Sequence, residues 1–128
     1  MSSVEMLQAA RDRLVRDGWT KRTLADWEGK HCAVGAVMDV TLLSEKDEYV
    51  KFDRDIHALT AEEYVAISFL ASLVPPVLDP YGAYNPHPPL DYQRDVLKVT
   101  TFNDSSVSFN RVLAWFDDAI LAAKEAEA

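Results

Sequence analysis

Between His31 and Leu43 (HCAVGAVMDVTLL) the chain has no polar face, since only His31, Asp39 and Thr41 interrupt the thirteen residues. A segment that is apolar on every side must be surrounded by the rest of the protein. Thirteen residues exceed the usual strand, so the length predicts a helix. The β-branched Val34, Val37, Val40 and Thr41 keep a buried strand as the alternative. The remaining chain then has to supply amphipathic elements that cover a central rod.

Those elements are legible. Ser3 as N-cap, Glu5 in the first turn and Leu7, Ala10, Leu14 and Val15 predict a first helix that stops at Gly18. Trp19 to Lys30 breaks the period and reads as a loop whose tryptophans, Trp19 and Trp27, pack on the core with Leu24. Thr60 and Glu63 form a capping box, with Leu59 and Tyr64 as the hydrophobic staple, and predict a helix from Ala61 to about Val74. Its buried side is expected at Val65, Phe69 and Leu73, and Pro75-Pro76 ends it. Asp91 to Thr101 reads as helix, with a strand over VLKVTTF as the alternative. Phe102 to Ser106 reads as a loop. A last helix, capped by Ser106 or Ser108, carries Val112, Leu113, Trp115, Phe116, Ala119, Ile120 and Ala123, and the KEAEA tail is expected to fray.

The expected fold is an all-α, compact single domain over residues 1–128, with four to five helices around the buried central helix and small α+β as the alternative. Its core is expected at Leu7, Leu14, Val34, Val37, Leu42, Val65, Phe69, Leu73, Val112, Phe116 and Ile120. A chain of 128 residues with 48% hydrophobic and 27% charged residues has the composition of one such domain. All six prolines lie between Pro75 and Pro89 (PPVLDPYGAYNPHPP), which predicts an irregular segment there.

Composition also narrows function. With 13 basic against 21 acidic residues the net charge is -8, which disfavours direct nucleic-acid binding. No apolar run is long enough for a membrane span, and the N-terminus lacks the apolar stretch of a signal peptide. One cysteine allows no internal disulfide, consistent with a cytoplasmic location. No cofactor motif and no metal-ligand spacing is present, since His31-Cys32 are adjacent while His57 and His87 are isolated. Paired acids such as Glu62-Glu63 and Asp117-Asp118 read as solvated helix faces.

Cys32 is the chain's one candidate nucleophile. At a helix start its thiolate would be favoured, and a base could come from His57 or His87, oriented by Asn103 or Asp104. His31 would point about 100° away on a helix. Against this stands packing: Cys32, Gly35 and Ala36 are small residues that let a neighbour approach closely. Asn103-Asp104 likewise reads either as an orienter or as a turn holding backbone N–H groups, including those at the helix start near Cys32. No catalytic set is assigned. Tyr81, Tyr84, His87 and Tyr92 are the partner-binding candidates, because stiffly held tyrosines give contact area at little entropic cost.

Gly18-Trp19-Thr20, then Gly29-Lys30-His31-Cys32-Ala33-Val34-Gly35-Ala36, then Asn103-Asp104 ahead of Phe116-Asp117-Asp118-Ala119-Ile120 resemble a family of small uncharacterised proteins of actinobacteria and their bacteriophages. The resemblance covers both ends of the chain and leaves about Ser44 to Pro89 unmatched. It implies a cytosolic, phage-encoded protein with no assigned reaction, and its recurring Cys and Asn-Asp map onto Cys32, Asn103 and Asp104. The expectation is a small acidic interaction protein, a phage accessory factor that binds a bacterial host protein. A thiol-dependent enzyme using Cys32 and an acidic nucleic-acid-mimicking decoy are the alternatives.

Overall fold

The described residues contain five helices and no strand. A computed structural model describes residues 1–41, 59–75, 91–106 and 108–128. The helices are α1 (Ser3–Asp17), α2 (Ala33–Thr41), α3 (Ala61–Ser72), α4 (Asp91–Ser105) and α5 (Phe109–Glu127). The fold is all-α, and none of these helices is long and apolar enough to cross a membrane.

The apolar run is the axis. Every residue from His31 to Asp39 is buried, and α2 packs against α1, α3 and α4. Around it, α5 closes the other side of α1 and α3. The helix persists because its sides are filled by α1 (Met6, Leu7, Ala10, Leu14), α3 (Ala66, Ile67, Leu70) and α4 (Val96, Val99). Each large apolar side chain so buried contributes roughly 1.5–3 kcal/mol.

Several local expectations are corrected. The cap of α1 is Ser2, not Ser3: the Ser2 hydroxyl accepts from Glu5 N at 3.1 Å, and Glu5 reaches back to Ser2 N. Val15 is 58% exposed, because Met6, Leu7, Ala10 and Leu14 already form the buried stripe and Val15 is turned about 100° from Leu14. In α3 the capping box of Thr60 and Glu63 stands as expected, but the buried face does not. Val65 and Leu73 are exposed and Phe69 is half-buried, whereas Ala66, Ile67, Leu70 and Ala71 are buried. Apolar residues surround α3, so periodicity could not select its inner side; the core did. Glu63 is fully buried rather than solvated, its Oε1 accepting from Thr60 N at 2.9 Å. Leu42 lies outside the described residues.

At the C-terminal end α4 runs through Phe102, Asn103 and Asp104 to Ser105, where a loop was expected. Val96, Val99 and Asn103 carry the buried 3-to-4 spacing onward, with a polar residue occupying the last inward position. Ser108 caps α5, accepting from Arg111 N at 3.2 Å. The Trp115 indole donates to Leu70 O at 3.0 Å, tying α5 to α3. The tail stays helical to Glu127 instead of fraying at Lys124.

Candidate functional site

Three of the residues singled out for chemistry, Cys32, Asn103 and Asp104, meet at the start of α2, beneath the arch formed by Gly18–Cys32. Gly18, at φ +103°, ends α1 and donates its N–H to Leu14 O. The chain then returns on itself: His31 N donates to Gly18 O at 3.0 Å and Thr20 N to His31 O at 2.9 Å. Cys32 N donates to Leu24 O at 3.1 Å, which seats the arch on α2. Gly35 makes that seating possible, since a Cβ there would lie 1.8 Å from Leu24 O.

Cys32 is the N-cap of α2. Its carbonyl accepts from Ala36 N at 2.9 Å, and its Sγ accepts from Gly35 N at 3.3 Å. The thiol is 3% exposed. Burial pushes its pKa up to about 11, and the neighbouring Asp104 charge adds to the rise, against the lowering effect of the Gly35 and Val34 N–H groups. A nucleophilic thiol needs the opposite shift. At pH 8, alkylation by iodoacetamide should run about 100-fold slower than for a free thiol, from the lost thiolate fraction alone. The rate should jump when denaturant is added, read by mass spectrometry.

Asn103 is fully buried and makes four hydrogen bonds. Its Oδ1 accepts from Trp19 Nε1 at 2.9 Å and from Ala33 N, the first free amide of α2, at 3.0 Å. Its Nδ2 donates to Thr20 O and to Asp104 Oδ1, both at 3.1 Å. Asp104 Oδ1 also accepts from Arg22 N at 2.8 Å, holding Arg22 at its φ of +68°. Trp19 stacks on Phe109 with ring centroids 6.1 Å apart. These contacts join the end of α4 to the arch and to the start of α2.

His31 does not sit on a helix, and its ring turns to α1 rather than to Cys32. Its Nε2 lies 3.0 Å from Asp17 Oδ2. Arg16 grips the same carboxylate with two bonds of 2.7 Å, and Asp39 pairs with Arg13 Nε at 2.9 Å. Ligand-type atoms of Asp17, His31 and Asp39 thus lie within 4.8 Å of one another, a grouping the sequence spacing did not reveal. Arg13 and Arg16 already balance the two carboxylates, so the group reads as an ion-pair cluster. Two sequence signals could have found it: Asp17 opposes the dipole at its helix end, and Asp39 is the lone acid in the apolar run.

Arg16 above all, with help from His31 and against partial desolvation, lowers the Asp17 pKa from 3.8 to about 2. A depressed carboxylate stabilises the fold above its unfolded pKa, so this contribution is complete above pH 3.8 and is lost as pH falls to about 2. Allowing for solvent screening, it is worth about 1 kcal/mol. Asp17→Asn should remove it and flatten the acid limb of a stability-versus-pH curve between those values.

Trp27 corrects the expectation that both tryptophans of the loop pack inward, since it is 91% exposed. A shallow groove of about 410 Å³ also runs between α1 and α5, lined by Arg11, Asp117 and Leu121 among others. His57, Tyr81, Tyr84 and His87 lie outside the described residues; Tyr92 falls in the first turn of α4.

The chain belongs to a family of unknown function (DUF6197), which matches residues 1–122. The matched range includes the stretch from Ser44 to Pro89 that the resemblance left out. No curated protein and no solved structure matches the chain.

Proposed function

We propose that this DUF6197 member is an acidic, helical, protein-binding accessory factor that works in the cytoplasm. The observation that carries the reading is the state of Cys32: its sulfur caps a buried helix and its pKa is driven up to about 11, which counts against the thiol-enzyme alternative. Asn103 and Asp104, the would-be orienters, hold the arch, Asn103 through both ends of its amide and Asp104 through Oδ1. The likeness to actinobacterial and actinobacteriophage proteins supports a phage-encoded factor whose partner is a bacterial host protein. The contact is assigned to the Pro75 to Pro89 segment through Tyr81, Tyr84 and His87, with Tyr92 following in the sequence, because aromatic side chains dominate the energetics of protein interfaces.

Affinity capture from an actinobacterial extract tests this. The wild-type chain should retain a host protein that Tyr81→Ala/Tyr84→Ala releases. An unchanged set of captured proteins would move the contact elsewhere, and an empty capture would sink the reading. Captured proteins displaced by duplex DNA would instead identify the acidic decoy.

A further inference from the structure

Asp17-Gly18 is the one step in the chain where an aspartate or asparagine precedes glycine. Glycine has no Cβ to hinder its backbone nitrogen, so that nitrogen can reach the preceding carboxyl group and close a five-membered imide. In the native fold three restraints prevent this. The Gly18 N–H is donated to Leu14 O at 2.9 Å, and Asp17 is held in helical backbone as the last residue of α1. Arg16 grips both carboxylate oxygens at 2.7 Å, and His31 Nε2 lies 3.0 Å from Oδ2. The third restraint is charge, because only a protonated carboxyl can lose its oxygen as water. With the Asp17 pKa lowered from 3.8 to about 2, that form is about 60-fold scarcer at neutral pH. The side chain is still 25% exposed, so water reaches it.

We infer that Asp17-Gly18 is a latent isoaspartate site that the arch keeps shut, and that conversion of this site unseats the arch permanently. Once Arg16 and His31 release the carboxyl group, Gly18 N attacks Asp17 Cγ. The new N–Cγ bond replaces the Cγ–OH bond, and one water leaves with the amide proton. Water then re-enters the imide. Addition at Cγ restores aspartate, whereas addition at the main-chain carbonyl gives isoaspartate, whose backbone runs through Cβ and Cγ. The mass is unchanged and no co-reactant but water is needed. The product carries an extra methylene in the main chain before Gly18, and its free carboxylate sits on Cα. The foot of the arch depends on the original register. His31 N donates to Gly18 O at 3.0 Å, and the His31 ring meets the carboxylate that would be displaced. A transient opening of the cluster thus becomes a covalent mark that refolding does not erase.

The test incubates the full chain at neutral pH, with and without guanidinium at an unfolding concentration. Isoaspartate is scored in the peptide ending at Lys21, by methyl uptake from an isoaspartyl methyltransferase. A second score is resistance to an endoprotease that cuts before aspartate only. The native chain should convert about 60-fold more slowly than the unfolded one, or more slowly still. Arg16→Ala, checked for equal helicity by circular dichroism, should raise the native rate about tenfold. Asp17→Glu should abolish the signal in both conditions, since a six-membered imide closes slowly. Returned to native buffer, converted chains should alkylate at Cys32 faster than unconverted ones, because Cys32 N no longer holds Leu24 O in place.

Equal rates with and without guanidinium would show that the fold does not guard the step, and no isoaspartate in either would remove the site. A native rate that Arg16→Ala leaves unchanged would overturn the role of the ion-pair cluster. Converted chains whose Cys32 stays as slow as before would overturn the link to the arch.

Discussion

Asn103→Ala should lower the unfolding free energy by about 3–5 kcal/mol, read as a fall in the urea midpoint at constant slope. The substitution removes an amide whose oxygen and nitrogen are both saturated by buried partners. It strands the Trp19 indole N–H and the Ala33 amide, and leaves Thr20 O without its donor. Each buried polar group so abandoned costs about 1–3 kcal/mol. Asn103→Asp separates this account from simple loss of volume. The carboxylate keeps an acceptor for Trp19 and Ala33 but faces Thr20 O and Asp104 Oδ1 with a second oxygen. Its folded pKa is then raised above the unfolded value, so the penalty is full at neutral pH and shrinks as pH falls through that raised pKa, when the protonated acid can donate again. A pH-independent loss for Asn103→Asp would refute the hydrogen-bond account.

Gly35→Ala should cost about 3 kcal/mol, although Gly-to-Ala in a helix ordinarily stabilises by about 1 kcal/mol. The reason is contact, not backbone freedom: the new Cβ would meet Leu24 O at 1.8 Å and Leu24 C at 2.7 Å. Neither atom belongs to a flexible side chain, so the arch must lift from α2. Lifting it strains the bond from Cys32 N to Leu24 O and the pairing through His31. Gly29→Ala is the matched comparison. Nothing lies within 4 Å of its added Cβ, and the φ of +87° alone should cost about 1–2 kcal/mol. Thermal unfolding of the two variants side by side checks the order, and a Gly35→Ala variant as stable as wild type would show that the arch does not rest on α2.

Legibility followed locality. The Thr60–Glu63 box could be read because its partners are three residues apart, and the first helix stopped where Gly18 was expected to stop it. Of the stripe read from spacing, the last helix buries Val112, Trp115, Phe116, Ala119, Ile120 and Ala123 and leaves Leu113 half-buried. What failed was choice among equals. In α3 Val65, Phe69 and Leu73 are as apolar as Ala66, Ile67 and Leu70, so only neighbouring helices could decide which set faced inward. Trp19 and Trp27 posed the same problem on the arch. Trp19 finds Asn103 and Phe109, while the Asp26 turn lifts Trp27 into solvent.

The candidate site divides in the same way. That HCAVGAV should be the buried axis was determined by composition alone, since a segment without a polar face has nowhere else to go. That the Cys32 sulfur caps a helix from a buried position, with its pKa raised, was decided by tertiary structure, through burial of the sulfur and the nearness of Asp104. Likewise Asn103 looked like a loop residue because Asn103, Asp104, Ser105 and Ser106 form a run of capping residues. It does so here because Trp19, Thr20 and Ala33, seventy or more positions away, bring the partners that satisfy its amide. Hydrophobic pattern acts over a few residues and can be read from spacing. A buried polar group is tolerated only when distant parts of the chain arrive to bond it, and that arrival is a property of the fold.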